Sequence, residues 1–361
     1  MLEVLQLYVK RIVAISALLL IFAVSKGQDP VFTQYYLNKN YLNPAFAGSK
    51  GKPSFALNSR LQYTAVPGIL ATNTFSANFG GNKETKGLGF AFMYADHVEG
   101  EGFLHTSNLS GQISKSLRLN KGNTKRPLLL TAGLQFGLGQ KRMNWDKLQF
   151  SDQFDPYESG VQNATFLNSN NDASNVYFDA GFGLKAFIPY GGKRRKSYFT
   201  VGASAFHINK PTQSLFGAES KLMPRYSFFG FTHIGKEVQY DKDRKYISIG
   251  FLLDFQQGLR TNTISFFKEL NKEITLGLSF RRQEFLVIDQ NFDALAAHFL
   301  YSKGKFQMGY SYDFTVSTLG EEKTFGSHEI GITYFFDRNR IVKKKPVWKK
   351  GDPCPQPGSV M

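Results

Sequence analysis

Residues that commonly carry out chemistry are few in this chain and are not grouped. No pair of its histidines has the HExxH spacing of a zinc protease or another familiar zinc-ligand spacing. The order of Ser, His and Asp along a chain does not decide for or against a catalytic triad, but the sequence has no Gly-x-Ser-x-Gly motif that would expose a nucleophile. These patterns therefore disfavour catalysis. The histidines are His97, His105, His207, His233, His298 and His328.

Three carboxylates lie close together in the stretch SDQFDPYESG, at Asp152, Asp155 and Glu158. Calcium takes oxygen ligands, so these residues could hold it, but they lack the order of a twelve-residue EF-hand loop. A solvated loop is the favoured interpretation. The single cysteine, Cys354, excludes a disulfide within one chain and any zinc site made of several thiolates. We expect no cofactor and no metal.

The chain is basic, with a formal net charge of +16. A nucleic-acid-binding protein would concentrate Lys and Arg on one element beside stacking aromatic side chains. Here the basic residues lie in short connections such as 193–196 and in the tail after residue 336, which includes Lys344 and Lys345. This distribution disfavours nucleic acid. It fits either a solvated surface or a docking surface for an acidic partner.

The last part of the chain, 304–336, shows most clearly that the chain forms β-strands. Two arms, GKFQMGYSYDFTV and GSHEIGITYFF, alternate apolar or aromatic residues with small or polar ones. Successive side chains of a strand point to opposite faces. One face therefore suits lipid and the other suits a lumen, as in an outer-membrane barrel. Asp313 falls on the inner face, and so does Arg281 in an earlier strand, as the cost of a charge in lipid requires.

The same alternation recurs along the chain and predicts an all-β fold, a transmembrane antiparallel β-barrel of about fourteen strands. If the first strand runs outward from the periplasm, the longer connections, such as 143–174 and 209–222, are extracellular. The start and the end of the barrel then both lie in the periplasm. The predicted strands are 53–63, 70–80, 86–96, 103–118, 127–142, 175–188, 197–208, 223–234, 244–255, 259–269, 273–283, 291–302, 304–316 and 326–336.

Four segments divide the chain. Residues 1–27 have the basic and apolar regions of a secretory signal, too short to span a bilayer as a helix. Residues 28–52 lack an alternating pattern and predict a short periplasmic or plug-like segment that packs against the barrel mouth, fills the lumen or docks a partner. The barrel occupies 53–336. Residues 337–361 form a basic tail that we expect in the periplasm, as we expect for both termini.

Several motifs resemble those of one known family. The stretch QDPVFTQYYLNKNYLNPAFAG is similar to the mature amino terminus of PorP/SprF proteins, which open with QDP and continue to NPA[FY]AG. The likeness continues in order through SRLQY, GLGF, MNWDKLQFSDQFD, HINKPTQSLFG, GYSYDFTVSTLG and GSHEIGITYFF. It therefore covers nearly all of the chain after the signal. The combination of the first motif with GYSYD and GSHE is specific.

This resemblance implies an outer-membrane protein of the type 9 secretion system of Bacteroidota, with no catalytic residues. Its implied partners are a secreted surface protein with a type 9 C-terminal sorting domain, such as a gliding adhesin, and periplasmic ring or motor components. We also expect contact with outer-membrane lipid and lipopolysaccharide. The alternative is a passive channel or a fatty-acid-type transporter. Candidate partner-binding residues are Asp29, Pro30, Tyr35, Asn43, Pro44, Phe46, Trp145, Asp146, Phe150, Asp152, Lys344 and Lys345.

Overall fold

The structure, a computed structural model, describes residues 28–81, 85–120, 127–144, 148, 153, 174–190, 197–214, 220–236, 245–285, 292–318 and 320–336. In these residues fourteen strands form one closed antiparallel barrel, in which each strand pairs with its neighbours in sequence and β1 pairs with β14. The predicted fold class is confirmed. None of the helices described is both long and apolar enough to cross a membrane.

Every predicted strand is present, with ends that differ by a few residues. The largest difference is in β3, which was predicted to end at residue 96 and continues to Gly100 because its pairing with β2 and β4 extends that far. The strands are β1 Ser54–Gln62, β2 Ile69–Gly80, β3 Leu88–Gly100, β4 Leu104–Arg118, β5 Leu129–Arg142, β6 Ser174–Tyr190, β7 Ser197–Phe206, β8 Arg225–Lys236, β9 Lys245–Gln256, β10 Leu259–Glu269, β11 Ile274–Phe285, β12 Phe292–Lys303, β13 Phe306–Thr315 and β14 Ser327–Phe335.

The two faces of the barrel wall have opposite character. The outer face carries large apolar side chains that are about half exposed, among them Phe92, Leu138 and Leu278. The alternate positions point into the lumen and are buried, including Arg281 and Asp313, as predicted from the sequence. A continuous apolar outer belt of this kind is stable only against lipid.

The segment that precedes the barrel, residues 28–52, lies inside it. We call the end of the barrel where β1 begins and β14 ends the near end, and the opposite end the far end. Asp29 contacts His207, directly after β7, and Arg225, the first residue of β8, both at the far end. The segment then runs down the lumen to Gly48, which abuts Phe79 and Gly89 at the near end. It contains α1, Lys39–Leu42, and a 3-10 helix, Pro44–Phe46.

The expectation that both termini lie in the periplasm stays a prediction, because the residues before 28 and after 336 lie outside the described residues. An even number of strands places the start of β1 and the end of β14 together, and the backbone of Phe336 indeed donates to the carbonyl of Pro53. However, the luminal segment crosses the full height of the barrel before β1 begins. Asp29 and Phe336 therefore lie at opposite ends of the barrel.

A hydrophobic core lies within the lumen instead of between layers. Aromatic and aliphatic side chains of the segment pack against inward-facing apolar residues of β8, β9, β10 and β12. The inward-facing residues of the other strands are mainly small or polar. The core consists of Tyr35, Tyr36, Leu42, Phe46, Phe229, Phe231, Leu252, Phe267 and Leu300.

Candidate functional site

The candidate site is the interface between the luminal segment and the inner wall, and its strongest part is a group of buried charges towards the far end. Five residues from five strands form this far-end ion cluster: Arg60, Arg281, Asp293, Asp313 and Glu329. Arg60 bridges Asp313 at 2.8 Å and Glu329 at 3.0 Å. Arg281 bridges Asp293 at 2.5 Å and Asp313 at 3.1 Å.

Thr33 of the segment lies at the centre of the far-end ion cluster. Its hydroxyl donates to Asp313 at 2.6 Å and accepts from Arg60 at 2.6 Å and from Arg281 at 2.9 Å. One small side chain thereby contacts three charged groups of the wall. Buried charges are tolerated only when they are paired and hydrogen-bonded. The segment supplies hydrogen bonds to three of these charged groups, Arg60, Arg281 and Asp313.

Glu329 fixes the backbone of the same turn. Its two carboxylate oxygens accept the backbone N–H groups of Thr33 at 2.8 Å and of Gln34 at 3.0 Å. The side chain of Gln34 donates to the carbonyl of Glu329 and to the hydroxyl of Ser311. Hydrogen bonds to a charged acceptor are about twice as strong as neutral ones. The segment is therefore held at this depth by its backbone as well as by its side chains.

A second group of charges holds the outermost residues of the segment. The carboxylate of Asp29 lies 2.7 Å from Nε2 of His207 and 3.1 Å from Arg225, and Nδ1 of His207 lies 2.8 Å from Asp179. Burial alone would raise the pKa of Asp29, but His207 and Arg225 outweigh it and hold that pKa well below its usual value. Burial would lower the pKa of His207, but the two carboxylates raise it from 6.5 to about 9.

Aromatic contacts hold the middle of the segment. The ring of Tyr35 stacks on Phe231 at 5.4 Å between centroids, and its hydroxyl contacts Ser265. The ring of Tyr36 packs edge-on against Phe267 at 4.7 Å. Such pairs contribute about 1 kcal/mol each beyond the area that they bury. The middle of the segment thus packs like the core of a soluble domain.

The turn at Asn43–Phe46 follows from local sequence. The side chain of Asn43 accepts the backbone N–H of Ala45 at 2.7 Å, and Pro44 occupies the first helical position, where no N–H is needed. The side-chain amide of Asn43 also donates to the carbonyls of Leu184 and Ala203 on the wall. The NPA part of the family-like motif therefore caps a helix and binds the barrel with one side chain.

Glycines of the wall make room for this turn. A Cβ added to Gly133 would lie 2.4 Å from the backbone nitrogen of Ala45, and one added to Gly183 would lie 2.1 Å from the side-chain oxygen of Asn43. These distances are far shorter than van der Waals contact. The alternating glycines of β5 and β6 therefore form a groove that fits the segment.

One arrangement superficially resembles a catalytic dyad. The hydroxyl of Ser279 lies 2.6 Å from Nε2 of His298, whose Nδ1 lies 2.9 Å from the hydroxyl of Tyr36. The Ser279 hydroxyl donates to Ser265, however, and all of these side chains are buried beneath the segment. Both ring nitrogens of His298 contact hydroxyl groups, so no carboxylate among the described residues orients the imidazole as a catalytic triad requires. We interpret this group as a structural network.

Six of the residues predicted to bind partners lie in the luminal segment. Asp29 belongs to the outer ionic group, and the carbonyl of Pro30 accepts the hydroxyl of Tyr41. Tyr35, Asn43, Pro44 and Phe46 are buried against the wall. A partner could reach these four only if the segment moved, so their role as partner contacts stays a prediction. The other six, Trp145, Asp146, Phe150, Asp152, Lys344 and Lys345, lie outside the described residues.

Sequence reasoning missed most of the residues that hold the segment. Arg60, Asp293 and Glu329 were not singled out, nor were Asp179 and Arg225. Each is a charged residue at an inward-facing position of a predicted strand, which is the signal that could have found them.

Among the described residues, no group of three or more His, Cys, Asp or Glu is placed to hold a metal ion. The acidic stretch at 152–158 lies outside the described residues except for Gln153, so its possible calcium site stays untested.

Comparison with known proteins identifies one matching family. The model of the family described as "Type IX secretion system membrane protein PorP/SprF" matches residues 24–334, nearly the whole chain. No curated protein sequence matches the chain.

Several solved barrels are similar in fold. The toluene transporter TbuX of Ralstonia pickettii has a TM-score of 0.47 at 10% identity, covering 83% of this chain and 94% of that one. Omp33 of Acinetobacter baumannii has a TM-score of 0.39 at 9% identity, covering 80% and 100%. The KdgM porin has a TM-score of 0.32 at 9% identity, covering 79% and 99%. At these values the likenesses support no conclusion about what this chain does.

Proposed function

Because the chain belongs to the PorP/SprF family of type IX secretion system membrane proteins, we propose that it is a non-enzymatic outer-membrane component that assists the secretion or surface anchoring of particular partner proteins. In this role the barrel is a binding scaffold and not a conduit. Its substrates are secreted proteins with a C-terminal sorting domain, and its near end contacts periplasmic machinery.

One observation carries this proposal: the lumen is occupied by the chain's own segment. Residues 28–52 are held by the far-end ion cluster, by the aromatic core and by the glycine groove. A passive channel needs a continuous water-filled path. The segment instead runs through the lumen from the far end to the near end and occupies space that such a path would need. The occupied lumen supports a role in binding proteins over a role in passing solutes.

The lengths of the connections support an orientation. The two longest connections, 143–173 and 207–224, join strand ends at the far end, and the connections between strand ends at the near end, such as 270–273 and 304–305, are all shorter. Outer-membrane barrels have short periplasmic turns and longer extracellular loops. We therefore assign the near end to the periplasm and the far end to the cell surface. In this orientation the segment begins at the outer mouth.

The partner contacts follow from this orientation. The long connection that contains Trp145, Asp146, Phe150 and Asp152 is then extracellular and can contact a secreted surface protein. The basic tail with Lys344 and Lys345 is then periplasmic and can contact ring or motor components. A large positive surface steers association with acidic partners. The outer apolar belt contacts outer-membrane lipid and lipopolysaccharide.

Two assays test the proposal against a passive channel. Purified barrel in liposomes should give little solute flux. A strain that lacks the gene should lose surface display of a secreted protein with a C-terminal sorting domain, while the barrel isolated under mild detergent should retain that protein or a periplasmic ring component. Reintroduction of the wild-type gene should restore display.

The opposite results would support the alternative. Rapid flux of small solutes through the wild-type barrel, together with normal display in the deletion strain, would identify a channel or transporter. An enzymatic activity abolished by Ser279→Ala without loss of folding would overturn the non-enzymatic assignment.

A further inference from the structure

Three lysines converge on the near-end half of the lumen, and no carboxylate of the described residues is paired with them. Lys185 points inward from β6, and its ammonium lies 4.3 Å from the centroid of the Phe46 ring. The ammonium of Lys39 lies 5.9 Å from the same ring, and that of Lys50 lies 5.8 Å from the centroid of Phe335, the last residue of β14. We call Lys39, Lys50 and Lys185 the lysine triad.

The lysine triad differs from the buried cations at the far end. Arg60, Arg225 and Arg281 each form a salt bridge with a carboxylate. Within the part of the chain that the structure describes, no salt bridge or hydrogen bond involves a triad ammonium. Lys185 is only 8% exposed.

Like charges close together repel one another, and the cost is largest for Lys185, the buried member of the triad. Burying a cation without a partner costs several kcal/mol, and its neighbours add repulsion. The ring of Phe46 offsets part of this cost, since a cation over an aromatic face gains about 1 kcal/mol. A bound anion would offset far more. The lysine triad therefore provides positive charge that suits an anionic group from outside the chain.

The position of the triad indicates how that group enters. Lys50 is exposed and lies near the start of β1, whereas Lys185 lies deeper along β6. The three charges thus extend from the near-end mouth into the lumen. Phe335 beside Lys50 adds apolar surface at the mouth. A row of ammonium groups with aromatic rings between them suits carboxylates carried on a chain better than one small ion.

We propose that the lysine triad binds the carboxylates of an acidic peptide segment of a partner protein that docks at the near-end mouth of the lumen. This inference rests on the proposed function, because it names the chemistry by which the near end recognises its partner. Acidic side chains replace the missing counter-charges, so that each carboxylate pairs with one or more ammonium groups.

Binding of a synthetic peptide to the purified full-length barrel tests this site directly. The probe is a fluorescent peptide of alternating Glu and Gly, and its counterpart has Gln in place of Glu. The variant is the triple substitution Lys39→Gln, Lys50→Gln and Lys185→Gln, which removes charge and keeps length. The matched control is Lys115→Gln, because Lys115 contacts the carbonyl of Lys86 outside the lumen.

We expect the wild-type protein and the Lys115→Gln control to bind the Glu peptide equally, and the triple variant to bind at least ten-fold more weakly. The Gln peptide should not bind. Equal binding by the triple variant would overturn the inference, because the basic tail and turns would then be sufficient. So would inorganic phosphate that displaces the peptide at equal concentration, since the site would then take a free anion.

Two further results separate this test from that of the proposed function. The circular dichroism spectrum of the triple variant should match that of the wild type, which shows that the variant is folded. Rapid solute flux through the wild-type barrel would overturn the scaffold role without changing the peptide result. If the wild-type barrel does not bind the Glu peptide but still co-purifies with its partner, the inference about the lysine triad is wrong and the proposed function is unaffected.

Discussion

The carboxylate of Glu329 on β14 accepts the backbone N–H of Thr33 at 2.8 Å, although the two residues are 296 positions apart in the sequence. This bond joins the segment that precedes the barrel to the strand that closes it. The same carboxylate bridges Arg60 on β1, which pairs with β14. Seating of the segment and closure of the barrel therefore depend on one buried side chain.

Replacement of Glu329 by Gln should destabilise the protein strongly. The amide can accept only one of the two backbone N–H groups, and it leaves Arg60 with half of its counter-charge. Breaking a buried ion pair costs about 3–5 kcal/mol. We expect a loss of about 3 kcal/mol in the free energy of unfolding, measured by urea titration in detergent micelles. Residues 28–52 should also become sensitive to protease.

The matched control is Glu322→Gln, because Glu322 is an exposed carboxylate in the short helix Glu321–Thr324. It should change the free energy of unfolding by less than about 0.5 kcal/mol. If Glu329→Gln is as stable and as protease-resistant as this control, Glu329 does not hold the segment.

Filling the glycine groove should displace the turn at Asn43–Phe46. A Cβ at Gly183 would overlap the side chain of Asn43, and overpacking of a tight site costs about 1–3 kcal/mol. We expect Gly183→Val to expose residues 28–52 to protease and to raise solute flux through the barrel in liposomes. Both effects measure whether the segment stays in place inside the barrel, and neither measures the strands of the wall.

The control for this substitution is Gly111→Val, because a Cβ at Gly111 meets no atom within 4 Å. Val is favoured in strands, so the control should fold normally. Equal protease resistance and equal flux for the two variants would show that the groove does not determine where the segment lies.

The contact between His207 and Asp29 should make the outer part of the segment sensitive to pH. The pKa of His207 is raised from 6.5 to about 9 in the folded protein. Its stabilising contribution is therefore fully present below pH 6.5 and is lost as the pH rises through about 9. The shift sets an upper limit of about 3 kcal/mol on the loss. Urea midpoints at pH 6 and pH 10 measure it.

His207→Gln should remove this dependence, so that the variant and the wild type differ at pH 6 and converge at pH 10. Asp179 and Arg225 also face this site. The control is His328→Gln, whose imidazole contacts the hydroxyl of Tyr310. A wild-type decrease that persists in His207→Gln would assign the effect to another group.

The sequence predicts the wall of this barrel well and its contents poorly. Alternation is a local property, so the inward placement of Asp313 and Arg281 follows from their neighbours alone. Their shared contact with Thr33 does not, because it joins residues that approach only when the barrel closes. The segment itself has no period to read. The sequence allows Asn43 and Pro44 to be recognised as part of a motif. It does not show that they fit a groove at Gly183, because the groove forms only in the folded barrel.

The path of the luminal segment makes a prediction about topology. If the near end faces the periplasm, residue 28 lies at the cell surface, whereas connections at the near end do not. Cysteine substitutions in a background of Cys354→Ser test this assignment on intact cells with a membrane-impermeant maleimide. Gln28→Cys should react, and so should Val66→Cys in the far-end connection after β1. Lys272→Cys, in an exposed near-end turn, should react only after the outer membrane is opened.

Each result has a distinct meaning, because the three sites share one background and differ only in position. Labelling of Lys272→Cys on intact cells together with protection of Val66→Cys would reverse the orientation of the barrel. Labelling of Val66→Cys but not of Gln28→Cys, before and after urea, would indicate that the thiol is absent from the mature chain. Protection of Gln28→Cys that urea relieves would indicate that the segment ends below the outer mouth, held there by Asp29, His207 and Arg225.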